Sequence, residues 1–350
     1  MSTNDEPVMR HRARRWLVRV VQSAAALALL LLVWRIAGGA AALDLVRGAH
    51  VGWLAAALML LMALTVLGAL RWRLTAAPLG IRLGTRQAIG EYFLAQLVNT
   101  TVPGGVLGDV GRAARSRHDA GAAAAAGAVV VERTIGQFAM LVVLTTGFMG
   151  TLVVRTSIDW PRPVLTGLAV LLPLAWGMTL AVLLGLRAQR AGSGRVARAA
   201  QAVRRSLRAA PWQQVMLGAA TASCVLGAFA CCALAIGAPL SLAAVVSVVP
   251  LVLLAMLIPV SIAGWGVREG AAVALLPIAG ISASQSLAVS IAFGLTSLLA
   301  ALPGIGAVWA RRRHSNRRDL TPPRARPGRR ACRTGFLTEP VTRLEHQETS

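Results

Sequence analysis

Long apolar blocks separated by short arginine-bearing stretches dominate the chain. About 20 consecutive apolar residues, rising 1.5 Å each in an α-helix, cross the roughly 30 Å hydrocarbon core of a bilayer. Seven blocks reach that class, at 17–36, 53–70, 136–154, 164–186, 212–236, 240–258 and 286–308. Two shorter ones, 88–98 and 270–279, are too short for a straight crossing and are expected to be re-entrant pieces or halves of broken helices. No block alternates apolar and polar residues as a half-buried strand would. The pattern predicts an all-α polytopic integral membrane protein of seven or eight transmembrane helices with re-entrant segments.

Arginine placement orients these segments, because short cytoplasmic loops are enriched in basic residues. The N-terminal tail (1–15), the stretch 71–86, the loop with Arg112, Arg115 and Arg117, the loop 187–208 and the tail from Arg311 are all rich and are expected inside. Loops 44–50, 155–162, 237–239 and 280–284 hold few or none and are expected outside. Two cytoplasmic tails require an even number of crossings. Segment 270–279 is the candidate to complete a broken crossing begun at Pro259, while 88–98 and 120–131 enter and leave on the cytoplasmic side. Alternatively, 120–154 forms one long tilted helix. The domain plan is a cytoplasmic tail (1–15), a multi-pass membrane domain (16–310) and an Arg/Pro-rich tail (311–350), too polar to bury a core.

Composition agrees. Hydrophobic residues make up 56% of the 350 residues and mean hydropathy is +0.65, above the range of ordinary soluble domains. The net charge of +23 belongs to arginines between apolar blocks, a membrane pattern and not a nucleic-acid face. The first block, behind Arg10, Arg12, Arg14 and Arg15, resembles a signal peptide but is long for one, and is expected to stay as an uncleaved first helix. Cys224, Cys231, Cys232 and Cys332 show neither metal nor disulfide spacing.

Charges inside an apolar helix cost about 2.5–3.5 kcal/mol each at its centre and call for a partner or a function. They form three clusters. The first runs from Asn99 through Pro103, Gly104, Gly105, Gly108 and Asp109 to Arg112, where proline and glycines break the helix and free backbone groups that lipid cannot satisfy. Asp109 and Arg112 share a face, with Asp109 a candidate N-cap. Either this is a capped helix with a local ion pair, or the glycine-lined amides and Arg112 receive an anionic headgroup. The second cluster is Glu132-Arg133 with Gln137. Arg133 and Gln137 share a face, leaving Glu132 to seek a partner on another helix, with Arg112 a candidate and a purely structural salt bridge the alternative. The third, Pro259 through Ser261, Gly264, Trp265, Gly266 and Arg268 to Glu269, repeats the plan of the first. Two broken segments in corresponding halves point to an inverted repeat with a site between them, although a kinked helix with interfacial charges gives the same pattern.

In this order and spacing the three clusters resemble the lysylphosphatidylglycerol synthase transmembrane (flippase-like) family, from about Arg14 to Arg311. The resemblance implies a bacterial inner-membrane helical bundle, related to the lipid-translocating half of enzymes that make and flip aminoacylated phosphatidylglycerol. It places Asn99, Pro103, Gly108, Asp109, Arg112, Glu132, Arg133, Gly264, Gly266, Arg268 and Glu269 at matching positions. The aminoacyltransferase domain of those enzymes has no room in the residues after Val308, so aminoacyl transfer is not expected.

The leading expectation is a lipid flippase or lipid-binding transporter in which the three clusters meet in one pocket open to the cytoplasmic leaflet, Arg112, Arg133 and Arg268 neutralising a headgroup phosphate and Asp109, Glu132 and Glu269 holding them or meeting a cationic headgroup. The lipid is a phospholipid or a polyprenyl-linked glycolipid. No Gly-x-x-x-x-Gly-Lys loop is present, so no ATPase of its own is expected. An enzyme is disfavoured, since His11, His50, His118, His314 and His346 scatter over loops and tails, and no cofactor or metal is called for. The alternative is a non-transporting subunit that docks a separately encoded transferase through its arginine-rich loops.

Overall fold

A computed structural model describes residues 27–102, 106–154, 158–188, 195–257 and 264–307, together with 21, 24 and 309. Pro103, Gly104, Gly105, Pro259, Ser261, both tails and Cys332 lie outside the described residues. The helices are α1 (Leu27–Ile36), α2 (Gly39–Arg47), α3 (Val51–Ala76), α4 (Thr85–Thr101), α5 (Leu107–Ala120), α6 (Ala122–Val153) and α7 (Arg162–Ala188). They continue as α8 (Arg195–Ala209), α9 (Pro211–Ala235), α10 (Leu242–Ser247), α11 (Val249–Leu254), α12 (Val267–Leu275) and α13 (Ala283–Ala301). The all-helical polytopic architecture is the one the apolar blocks demand.

Among the described residues five helices are long and apolar enough to cross a bilayer: α3, α6, α7, α9 and α13. The bent pair α1 and α2, meeting at 90°, makes a sixth by length and composition. Among the described residues that makes five or six spans by length and composition, where the sequence led to an expectation of seven or eight. The stretches 120–131 and 136–154 are one helix, α6. The stretch 240–258 keeps one apolar helix, Leu242–Leu257, shorter than the other spans, with α10 and α11 parted at Val248 and a closing 3-10 turn, Ala255–Leu257. Pro250 accounts for the interruption, because it cannot donate to the carbonyl four residues back and its ring crowds that carbonyl. That carbonyl is Val246 O, and it lies against α6 at Gly147. A Cβ at Gly147 would overlap it, so only glycine lets α6 pack this closely on α10.

The short segments form two hairpins that enter from opposite ends. Helices α3 and α9 run antiparallel, tied at the Val51 end by His50 N–H donating to Ala235 O (2.9 Å). At the Ala76 end, Arg73 bonds Thr85 (2.7 Å) and starts α4, which packs back along α3 with Tyr92 against Gly68. Helix α5 returns antiparallel to α4 and leads into α6, so the first hairpin opens at the Ala76 end. The second, α10–α11 out and α12 back, sits between the finish of α9 and the start of α13, and opens at the Val51 end.

Span, hairpin, span therefore occurs twice in opposite directions, the inverted repeat anticipated from the two broken motifs. Packing follows the same symmetry: α6 lies on α9 and α10, as α13 lies on α3 and α4. Gly147 meets the backbone of α10 just as Gly304 meets the backbone of α4 at Phe93. Helix α7 stands outside this plan. Phe138 and Trp176 stack edge to face at 5.5 Å, and Trp160 and Trp176 donate to Thr151 and Thr145 of α6 (2.9 and 3.1 Å). Leu171, Leu174 and Met178 on its other side are exposed, as expected of a lipid-facing span.

Candidate functional site

Each hairpin carries one fully buried arginine just past its tip, and the networks around Arg112 and Arg268 differ in charge. On α5, Gly108 lies so close to α4 that a Cβ would overlap the carbonyl of Ala95. Its N–H donates to Asn99 Oδ1 (2.8 Å), locking the tip of the hairpin. Asp109 is not the N-cap expected of it. The helix starts earlier, at Leu107, and Asp109 lies in its first turn, where its carboxylate opposes the positive end of the helix dipole. It accepts from Arg112 Nη2 (2.9 Å) and Arg133 Nη2 (2.7 Å), with Asn99 Nδ2 at 3.4 Å. Arg133 thus turns to α5, and not to Gln137 on its own helix.

Glu132, fully buried on α6, is the hub. Its Oε2 accepts from Arg112 (3.2 Å), the partner expected, and its Oε1 from Arg71 Nη2 (2.6 Å) and Tyr92 Oη (3.1 Å). Arg71 also reaches Thr221 on α9 (2.8 Å). The guanidinium of Arg112 lies 4.5 Å from the ring centroids of both Trp72 and Tyr92, a cation–π geometry that supports a cation shut off from water. The joined set holds three guanidinium groups, of Arg71, Arg112 and Arg133, and two carboxylates, of Asp109 and Glu132. One positive charge is left over. Next to it, Arg115 and Glu91 pair at 2.7 Å and close the base of the hairpin without adding net charge.

Hydrogen bonding is incomplete at the same place. Among the described residues, the buried side-chain nitrogens and oxygens without a partner are Arg112 Nε and Nη1, Trp72 Nε1 and the two amide atoms of Gln214. Arg112 and Trp72 supply donors only, so what their cage lacks is an acceptor.

The second network is self-contained. Gly264 and Gly266 take φ of +83° and +85°, the left-handed region that favours glycine, and turn the chain into α12. Arg268 bonds the adjacent Glu269 and donates to Ser290 on α13 (3.0 Å). Glu269 accepts from Ser290 (3.2 Å) and from the N–H of Gly266 (2.6 Å). Gly294 makes room, since a Cβ there would overlap the Arg268 guanidinium. Trp265 and Phe293 flank the cation at 5.1 and 5.6 Å. One cation meets one carboxylate, and no charge remains. Among the described residues no hydrogen bond or ion pair joins this network to the first. The first two sequence clusters merge, whereas the third stands apart in the other half of the repeat, so Arg268 and Glu269 do not join Arg112 and Arg133 in the single pocket expected from the sequence.

Sequence reasoning missed Arg71, Trp72 and Tyr92. Arg71 and Trp72 follow an apolar block and read as an ordinary interfacial flank, yet they are 5% and 0% exposed. The available signal was Tyr92, the only tyrosine of the chain, in a short apolar segment where its hydroxyl needs a partner.

The buried Glu132-Arg133 pair, the broken Asn99–Arg112 hairpin and the Gly264–Glu269 turn sit within residues 16–304, which match the model of the lysylphosphatidylglycerol synthase TM region. The chain belongs to that family. Membership gives this member of the lysylphosphatidylglycerol synthase TM-region family a membrane-lipid-related role. No curated protein and no solved structure matches the chain.

Proposed function

We propose that the chain binds a membrane lipid with an anionic headgroup at the Arg112 network and carries it across the bilayer, without chemical change. The observation that supports this reading most is the surplus positive charge beside donors that lack an acceptor. An unbalanced cation in a low-dielectric region is costly, and a phosphate diester would both neutralise it and accept from it. Arg133 is the point of entry, its side chain 44% exposed while bonded to Asp109. Val106 before α5, Leu107 and Val110 on α5 and Val130 on α6 are exposed beside it, where acyl chains would lie. The balanced Arg268 network, in the oppositely directed hairpin, would serve the other leaflet in the alternate conformation that an inverted repeat permits.

The arginine-rich Ala76 end would face the cytoplasm of an inner membrane. An Arg82→Cys variant, exposed between α3 and α4 and made in a chain whose native cysteines are replaced by serine, is then expected to react with a membrane-impermeant maleimide in inverted vesicles and not in intact cells. The opposite labelling overturns the orientation. Headgroup chemistry would come from a separately encoded transferase.

Transport is tested by scrambling of labelled lipids in proteoliposomes at matched incorporation. Arg133→Gln removes an exposed charge without opening the core. It is expected to slow movement of an anionic phospholipid on the order of tenfold, the scale of one charge-assisted contact, with Tm nearly unchanged. No movement of any headgroup by the intact protein would sink the proposal and favour a subunit that docks a soluble transferase.

A further inference from the structure

Helix α8 is absorbed by none of this. It holds five arginines in fifteen residues and no acidic residue. Such a helix cannot cross a bilayer, where each central arginine costs about 2.5–3.5 kcal/mol. Yet it joins two helices that do cross, with Ala210 alone between it and α9. Covalent geometry therefore holds α8 at the membrane boundary. Trp212, exposed in the first turn of α9, belongs to the same level, where tryptophan is enriched.

Its two faces are different. Ser206 is buried and donates to Thr75 O across 131 residues of sequence (2.6 Å), and partly buried Val203 and Leu207 flank it. Gln201, Arg204, Arg205 and Arg208, spaced three, four and seven residues along the helix, line one concave surface with Ala209. Arg205 and Arg208 are exposed there. A row of guanidinium groups pinned at the headgroup level matches phosphate oxygens in charge and in fork geometry.

We infer that α8 is a surface site for anionic phospholipid headgroups of the surrounding bilayer, distinct from the Arg112 network. Helix α8 would hold such a lipid at the membrane boundary whether or not the Arg112 network moves one. Each arginine near an anionic surface contributes about fivefold in affinity, the equivalent of about 1 kcal/mol.

The test uses the full chain in neutral detergent, titrated calorimetrically with dihexanoyl phosphatidylglycerol, dihexanoyl phosphatidylcholine and inorganic phosphate. All titrations are repeated in the Arg133→Gln chain, so that the Arg112 network does not dominate the difference. Arg205→Gln with Arg208→Gln is expected to weaken phosphatidylglycerol binding on the order of tenfold or more and to leave phosphatidylcholine unchanged. Arg205→Lys with Arg208→Lys is expected to retain most of the affinity, which separates lost charge from lost fold. Unchanged phosphatidylglycerol binding in the double Gln variant overturns the inference. Inorganic phosphate binding as tightly as the lipid overturns the membrane source.

Discussion

Glu132→Ala is expected to be the most damaging single substitution in the chain, lowering stability by about 3–5 kcal/mol, the cost of stranding a buried charge. The carboxylate receives Arg71, Arg112 and Tyr92 from three other helices and is itself fully buried. Without it, three guanidinium groups share the one carboxylate of Asp109. Glu132→Gln keeps an acceptor but loses the charge, and an intermediate loss is expected. Thermal unfolding in detergent measures both. Replacing Arg71 and Glu132 together by leucine returns the local charge to its original excess of one, and buried ion pairs exchanged for apolar residues are often neutral. The double variant is therefore expected to recover much of the lost Tm, a coupling that a thermodynamic cycle reads directly. A Glu132→Ala protein that melts with the parent would show that Glu132 is not the hub.

The second large effect is expected at Gly108. An added methyl would overlap the carbonyl of Ala95, which is backbone and cannot swing aside. Gly108→Ala must push α5 away from α4 and break the 2.8 Å bond to Asn99 that locks the hairpin tip. A loss of about 1–3 kcal/mol is expected from the overpacking, and lipid movement should fall with it because Asp109 and Arg112 shift with α5. Gly111→Ala is the internal control. It lies one turn on, and its Cβ would meet only the mobile end of Arg115. With helix propensity favouring alanine by up to about 1 kcal/mol, that variant is expected to be neutral or slightly stabilised. Equal damage from both would place the cause in helix α5 as a whole and not in the contact with Ala95.

The contrast between the two hairpins explains why three polar clusters of similar appearance end in two unlike environments. Both place an arginine after a proline and glycine break. In the second half the acid is the next residue, Glu269, and it stays with its arginine. In the first half the acid adjacent in sequence, Glu132 beside Arg133, points away on the helix and is taken by Arg71 and Arg112, leaving Arg133 to Asp109. The partners on neighbouring helices separate the two cases. Glu132, inside α6, meets Arg71 and Arg112 of α3 and α5. Among the described residues Arg268 and Glu269, in the first turn of α12, hydrogen-bond on a neighbouring helix only to Ser290 of α13.

By itself the sequence determined that the chain is a helical membrane protein, where most of its spans lie, that the stretches around Pro103 and Pro259 carry helix-breaking residues, and that Asp109, Arg112, Glu132, Arg133, Arg268 and Glu269 need partners. These properties follow from block length, from glycine and proline chemistry and from the cost of charge in lipid, all local quantities. Only the tertiary structure decided that Leu242–Leu257 is a short helix interrupted at Val248 where Gly147 packs on it, that Asp109 lies inside its helix, and that Arg71, Trp72 and Tyr92 complete the Arg112 cage. It alone decided that the Arg268 network stands apart. Those outcomes depend on which helix approaches which, and a span whose every face is apolar does not encode its neighbours in its own pattern.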